Sequence, residues 1–176
     1  MIKLIDLLEN KILTTRRSPE ERSKNFLIAT QKKIQQYIKD GSKGDLDLGG
    51  TPITSLPQGL RVEGYLDLED TKITTLSQSL TVGGSLYLGN TKITSLPQGL
   101  TVGDFLDLFG TKITSLPQGL TVGGNLNLRN TPITSLPQGL IVGGDLDLYN
   151  TPISKKYSKE QIKQMVPGVK GQIYIK

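Results

Sequence analysis

The sequence predicts an α+β fold, a solenoid with a parallel β-sheet on one face and extended, proline-containing return segments on the other. Three observations lead there. A twenty-residue unit recurs five times and begins a sixth, with copies starting at Asp45, Tyr65, Ser85, Phe105, Asn125 and Asp145. Each copy reads close to x-L-x-L-x-x-T-x-I-T-S-L-P-Q-G-L-x-V-G-G, so most positions are fixed and a few vary freely. The flanks lack the repeat and carry helix-start signatures instead. A strict period of this length marks stacked units that each contact only their neighbours.

The elements follow in chain order. Residues 1–44 read as a helical N-terminal cap. Ile2, Ile5, Leu8 and Ile12 recur at helical spacing, and Thr14-Thr15-Arg16-Arg17 breaks the pattern. Ser18-Pro19-Glu20-Glu21 starts a second helix, with Ser as N-cap, Pro in the first turn and Glu placed to close a capping box. That helix is expected to bury Leu27, Ile34 and Ile38, with Phe26 or Tyr37 at the edge, and to stop at Asp40-Gly41-Ser42.

Residues 45–154 form the solenoid. In each x-L-x-L segment the residues alternate as a strand with its leucines inward. In the second copy these are Leu66 and Leu68, followed by Ile73, Leu76, Leu80 and Val82. Six aliphatics cannot offset the ordering of twenty residues, so stacking is obligatory. The Thr at the seventh position follows the strand where the chain turns, and its hydroxyl can pair with backbone there. A stack of such residues would form a ladder. Leu-Pro-Gln-Gly suits an extended return, and Gly83-Gly84 and its equivalents turn the chain into the next strand. The second copy departs from the rest, with Ser77 and Ser79 replacing Pro and Gly.

Residues 155–176 form a C-terminal cap. Ser158-Lys-Glu-Gln161 is another capping-box start, a short helix runs through Met165, and Pro167-Gly168 stops it. Gln172–Lys176 alternates as a strand.

Composition narrows the chemistry. The 176 residues include no His and no Cys, which excludes disulfides, thiolate chemistry, imidazole bases and the common zinc sites. No cofactor is expected. No run approaches a membrane span, the N-terminus lacks the features of a secretory signal, and a cytoplasmic location is the expectation. Charge is segregated. Residues 1–44 carry ten Lys/Arg against five Asp/Glu, residues 45–150 five against ten, and residues 151–176 six against one. An acidic middle therefore lies between two basic ends.

The run L-x-L-x-x-T-x-I-x-x-L-P resembles the leucine-rich repeat, with Thr where that family usually places its Asn ladder. The short unit with L-P on its return is similar to the bacterial class found in type III secreted effectors, and comparable repeats occur in phage-encoded proteins. V-G-G stands where that class carries a further Leu. The resemblance covers roughly residues 45–154 and implies a non-catalytic scaffold for protein binding from a bacterial or phage source. The absence of Cys excludes the cysteine ubiquitin-ligase activity of some effectors.

Candidate binding residues come from the variable strand positions, which flank the inward leucines and face a concave surface if the stack is a horseshoe. One column runs Asp45, Tyr65, Ser85, Phe105, Asn125, Asp145. The next runs Asp47, Asp67, Tyr87, Asp107, Asn127, Asp147, and a third runs Gly49, Glu69, Gly89, Phe109, Arg129, Tyr149. Five of the nine aromatics of the chain (Tyr65, Tyr87, Phe105, Phe109, Tyr149) fall here. Exposed aromatics resemble interface anchors. Asp47 beside Asp67 is a like-charge pair on adjacent strands, which a purely structural sheet has little reason to keep. The residues expected to contact a partner are Asp47, Tyr65, Asp67, Glu69, Tyr87, Phe105, Asp107, Phe109, Asn127, Arg129, Asp147 and Tyr149.

Other readings weigh less. A calcium site needs carboxylates converging from loops, which a flat column does not supply. The Thr column lacks a base to activate a nucleophile. The basic clusters (Arg16-Arg17, Arg22, Lys24, Lys32-Lys33, Lys155-Lys156) could touch phosphates, but they lack Gly-rich or aromatic interleaving. Nucleic-acid or membrane contact through the caps is not expected. The sequence thus points to a protein partner with a basic surface and to a monomer or low-order oligomer. Two alternatives stay open: an inhibitor that occludes a nucleic-acid-binding or defence protein by acidic mimicry, and an assembly component that self-associates.

Overall fold

Among the described residues, twelve two-residue strands and three helices are assembled by the stacking of one turn on the next. The computed structural model describes residues 18–176. The amphipathic pattern of Ile2, Ile5, Leu8 and Ile12, and the Arg16-Arg17 pair, lie outside the described residues.

Helix α1 spans Pro19–Lys39. Its start is the expected capping box: Glu21 N–H donates to Ser18 Oγ at 3.1 Å, and Ser18 N–H donates to the Glu21 carboxylate at 3.0 Å. Asp40 caps the other end, and Gly41 takes the positive φ of 86° that a helix terminus favours. Ile34 enters the core, with Leu27 and Tyr37 packed beside it. Ile38 does not, and is exposed. Only Thr30 and Ile34 of the helix are buried, so its buried stripe is narrow. Tyr37 takes the contact instead, donating its hydroxyl to the carbonyls of Ser42 (2.7 Å) and Gly44 (2.9 Å).

Each twenty-residue unit forms one turn, or rung. The leucine segments are β1 (Leu46–Asp47), β3 (Leu66–Asp67), β5 (Leu86–Tyr87), β7 (Leu106–Asp107), β9 (Leu126–Asn127) and β11 (Leu146–Asp147). With β12 (Ile173–Tyr174) they make one parallel sheet in chain order. Register is leucine over leucine, and Asp47 lies beside Asp67 as the spacing implied.

A second parallel sheet was not anticipated. Its strands are β2 (Arg61–Val62), β4 (Thr81–Val82), β6 (Thr101–Val102), β8 (Thr121–Val122) and β10 (Ile141–Val142). The x-V pair, whose Val the repeat places inward, is therefore a strand. Both sheets bond rung to rung along the stack, as Leu46 N–H donates to Tyr65 O in the first and Gly83 N–H to Val62 O in the second.

The V-G-G corner joins the second strand of each rung to the first strand of the next. Its glycines are required by close approach rather than by a left-handed backbone. A methyl group on Gly103 would collide with the carbonyl oxygen of Gly83 one rung earlier, and Gly123 and Gly143 repeat the clash. Successive rungs touch backbone to backbone here.

The core is a column of Leu, Ile and Val that contains no aromatic ring among the described residues. Leu66, Leu68, Ile73, Leu76, Leu80 and Val82 are all buried, as expected. The Thr hydroxyls bond locally, each closing its own turn. Thr71, Thr91, Thr111, Thr131 and Thr151 each donate to the Leu carbonyl three residues earlier at 2.7–2.8 Å. The result is a stack of intra-turn bonds rather than a chain of hydroxyls bonded rung to rung. In the departing copy, Ser79 Oγ accepts from Gly59 N–H at 2.9 Å, and Ser77 Oγ donates to Gln58 at 2.7 Å. Side-chain bonds there replace the rigidity that Pro and Gly give elsewhere.

The last return segment departs from the pattern. Helix α2 (Pro152–Lys156) replaces it, capped by Thr151, whose hydroxyl accepts from Ser154 N–H at 3.3 Å. The other copies carry Thr rather than Ser three positions after this Thr, and they stay extended. Helix α3 (Lys159–Met165) and β12 then follow as expected.

Candidate functional site

The local geometry of the first sheet fixes which side chains it displays. Leucines at the second and fourth positions point inward, so the first, third and fifth positions point out. The sixth position holds Gly50, Asp70, Asn90, Gly110, Asn130 and Asn150, all at positive φ between 55° and 67°. Gly, Asn and Asp tolerate that conformation best. The resulting corner ends the display at the fifth position.

The Asp column has a structural job that sequence reasoning missed. In each of Asp47, Asp67, Asp107 and Asp147, Oδ1 accepts the backbone N–H two residues on, at 2.8–3.0 Å. Asn127 does the same through its amide oxygen for Arg129 N–H, at 3.0 Å. These bonds hold the backbone as it leaves the strand. The like-charge column is thus explained in part by backbone capping, and its presence alone does not mark an interface. Position one has a related role: Asp45, Asn125 and Asp145 accept the N–H that opens the next rung, at 2.7–2.9 Å. The recurrence of Asp or Asn before L-x-x-T was a readable sign of this capping.

Tyr87 breaks the column. It has no carboxylate or amide oxygen to supply such a bond, and it joins two neighbours instead. Its ring meets Tyr65 edge-on at 6.1 Å between centroids and Phe105 at 5.7 Å. The three rings form a continuous string across three rungs. Tyr65 is 36% exposed, and Tyr87 and Phe105 are half-buried. The structure adds one ring: Tyr174 in β12 pairs beside Asp147, extends the second column by a rung and is exposed. The alternation of Gln172–Lys176 was the sign that could have placed it there.

The three columns hold seven carboxylates (Asp45, Asp47, Asp67, Glu69, Asp107, Asp145, Asp147) and one cation, Arg129. Arg129 forms the one salt bridge among the described residues, to Asp147 Oδ2 at 3.5 Å, and lies over the Tyr149 ring at 4.8 Å. Asp107 has no salt-bridge partner among the described residues. Asn127 donates its amide to Asp107 Oδ1 at 2.9 Å. Desolvation raises the Asp107 carboxyl above the ordinary Asp range, opposed by the bonds from Phe109 and Asn127. Glu69 is raised as well, first by desolvation and then by Asp67, Asp107 and Asp70. Ionising these groups costs free energy that a cation from outside would recover. No three carboxylates converge with metal-ligand geometry among the described residues.

The predicted contact residues thus share one face but not one arrangement. Tyr65, Tyr87 and Phe105 form a string, Asp67, Glu69 and Asp107 an unneutralised acidic patch, and Arg129, Asp147 and Tyr149 a self-paired cluster. Asp47 lies at the N-terminal edge, where the Lys33 ammonium of α1 donates to its carbonyl oxygen. The basic residues of α1 therefore include one that caps an open sheet edge.

No family model matches this sequence, and no curated protein matches it. Among solved structures, the leucine-rich-repeat domain of a Shigella effector overlaps 94% of this chain and 94% of its own length, with a TM-score of 0.40 and 14% identity. The fold rests on the register of the chain itself. With leucine stacked over leucine in six successive strands at a twenty-residue spacing, the chain is by fold a parallel β-solenoid of leucine-rich turns.

Proposed function

We propose that this chain is a non-catalytic protein-binding module that docks a partner with a basic surface against the exposed face of its first sheet. The observation that carries the reading is the Tyr65–Tyr87–Phe105 string, set among seven carboxylates with a single cation. Rigid aromatic surface is the material of binding anchors. Carboxylates around it steer a cationic partner and fix its orientation. The hydroxyl column fits a scaffold role, because the buried Thr side chains are committed to backbone carbonyls.

The test compares proteins retained from the native host by the wild-type chain and by a Tyr87→Ala/Asp107→Lys variant. A Thr101→Lys variant on the second sheet serves as a control for added charge. Loss of a basic partner from the double variant alone, with folding checked by circular dichroism, supports the assignment. Retention of every partner by the double variant would show that this face is not the docking surface.

A further inference from the structure

The repeat places two equivalent seats on the first sheet, and only one has a guanidinium of its own. At the C-terminal end, Arg129 at the fifth position of its rung reaches the next rung. It lies over the ring at the fifth position there (Tyr149) and pairs with the acid at the third (Asp147). Forty residues earlier, two rungs back, stand Gly89, Phe109 and Asp107. The aromatic ring and the aspartate recur, and the arginine is replaced by glycine.

The space that a side chain at position 89 would need holds a carboxylate. A Cβ built on Gly89 would lie 2.8 Å from Glu69 Oε1, so Glu69 folds across the glycine from the rung before. The central seat therefore presents two carboxylates and a ring where the C-terminal seat presents one carboxylate, a ring and the cation that satisfies them. Neither Glu69 nor Asp107 has a salt-bridge partner among the described residues.

We infer that the central seat, formed by Glu69, Gly89, Asp107 and Phe109, takes an arginine side chain from the partner protein, in the position that Arg129 occupies in its own seat. A guanidinium suits it better than an ammonium. Its plane stacks on an aromatic face while its fork donates to carboxylates, whereas a lysine offers a compact, strongly hydrated charge. The inference rests on the docking reading above and names the side chain that reading left open.

The experiment uses two fluorescent peptides of equal charge on a Gly/Ser background, one carrying two arginines and one two lysines. Both are titrated into the full chain and into Gly89→Arg and Phe109→Ala variants. Gly89→Arg supplies a guanidinium internally, and the neighbour it displaces is the flexible end of Glu69. The arginine peptide should bind the wild type about tenfold more tightly than the lysine peptide. That preference should be lost in both variants, and Gly89→Arg should unfold at the same temperature as wild type or higher. Equal binding of both peptides, unchanged by Gly89→Arg, overturns the arginine seat and leaves the docking face standing. Failure of both peptides to bind the wild type overturns the seat and the basic-partner reading together. If Gly89→Arg unfolds early, Phe109→Ala decides: an arginine preference that survives it also overturns the seat.

Discussion

The central rungs and the C-terminal rungs share one scaffold and differ in how their surfaces are balanced. Leu106 in the centre and Leu146 near the end are equally buried and equally registered. Above them, Arg129 neutralises Asp147 and covers Tyr149, while Asp67, Glu69 and Asp107 crowd together without a salt-bridge partner among the described residues. A repeat protein separates what makes it fold from what it displays. Self-pairing at one end and unmet charge in the middle come from substitutions at positions that no core contact constrains.

The comparison can be broken or sharpened at several levels. The largest effects belong to the scaffold. Leu106→Ala and Leu146→Ala should each cost about 2–5 kcal/mol in chemical denaturation. A difference between them well above about 1 kcal/mol would show that the two regions are not equivalent underneath. Tyr87→Ala removes two edge-on ring contacts and should cost about 1 kcal/mol, a little more than Tyr149→Ala, which loses one cation–π contact. Thermal unfolding of the pair measures this, and equal losses would deny the string a role in stability.

Arg129→Ala should cost less than about 1 kcal/mol, since the pair it breaks is exposed to solvent. It should also open the C-terminal seat, raising the number of arginine peptides bound per chain from one to two. Calorimetric stoichiometry that stays at one would separate the two seats chemically.

The smallest effect is electrostatic. The Glu69 carboxyl is raised in the folded chain, so folding disfavours its ionised form, and its contribution to stability falls as pH rises through the folded value. Glu69→Gln should therefore stabilise the protein at neutral pH, by less than about 0.5 kcal/mol after solvent screening. The gain should vanish as acid protonates the wild-type side chain. An advantage that persists at low pH would trace to packing instead.

Much of this was legible in the chain. The twenty-residue period gave the stack, the leucine alternation gave the inward face, and Ser18–Glu21 and Ser158–Gln161 gave two helix starts. The outward columns also followed from alternation, which is why Tyr65, Tyr87 and Phe105 could be named together. Ile38 was misplaced because a helical stripe does not say how much of its length meets a partner surface. The Asp column was read as unmet charge because its bonds to backbone N–H groups two residues on belong to a particular corner geometry, set by the positive φ at position six.

By itself, then, the sequence determined the solenoid, its aliphatic interior and the faces of its strands, because these depend on periodicity, which is a property of one dimension. Only the tertiary structure decided three further features: the second sheet, the glycine corners where backbones meet, and the division of the display into paired and unpaired charge. Each depends on which atoms lie together one rung apart. Backbone pairing and side-chain reach across the stack settle that, and neither is written in the spacing of residues along the chain.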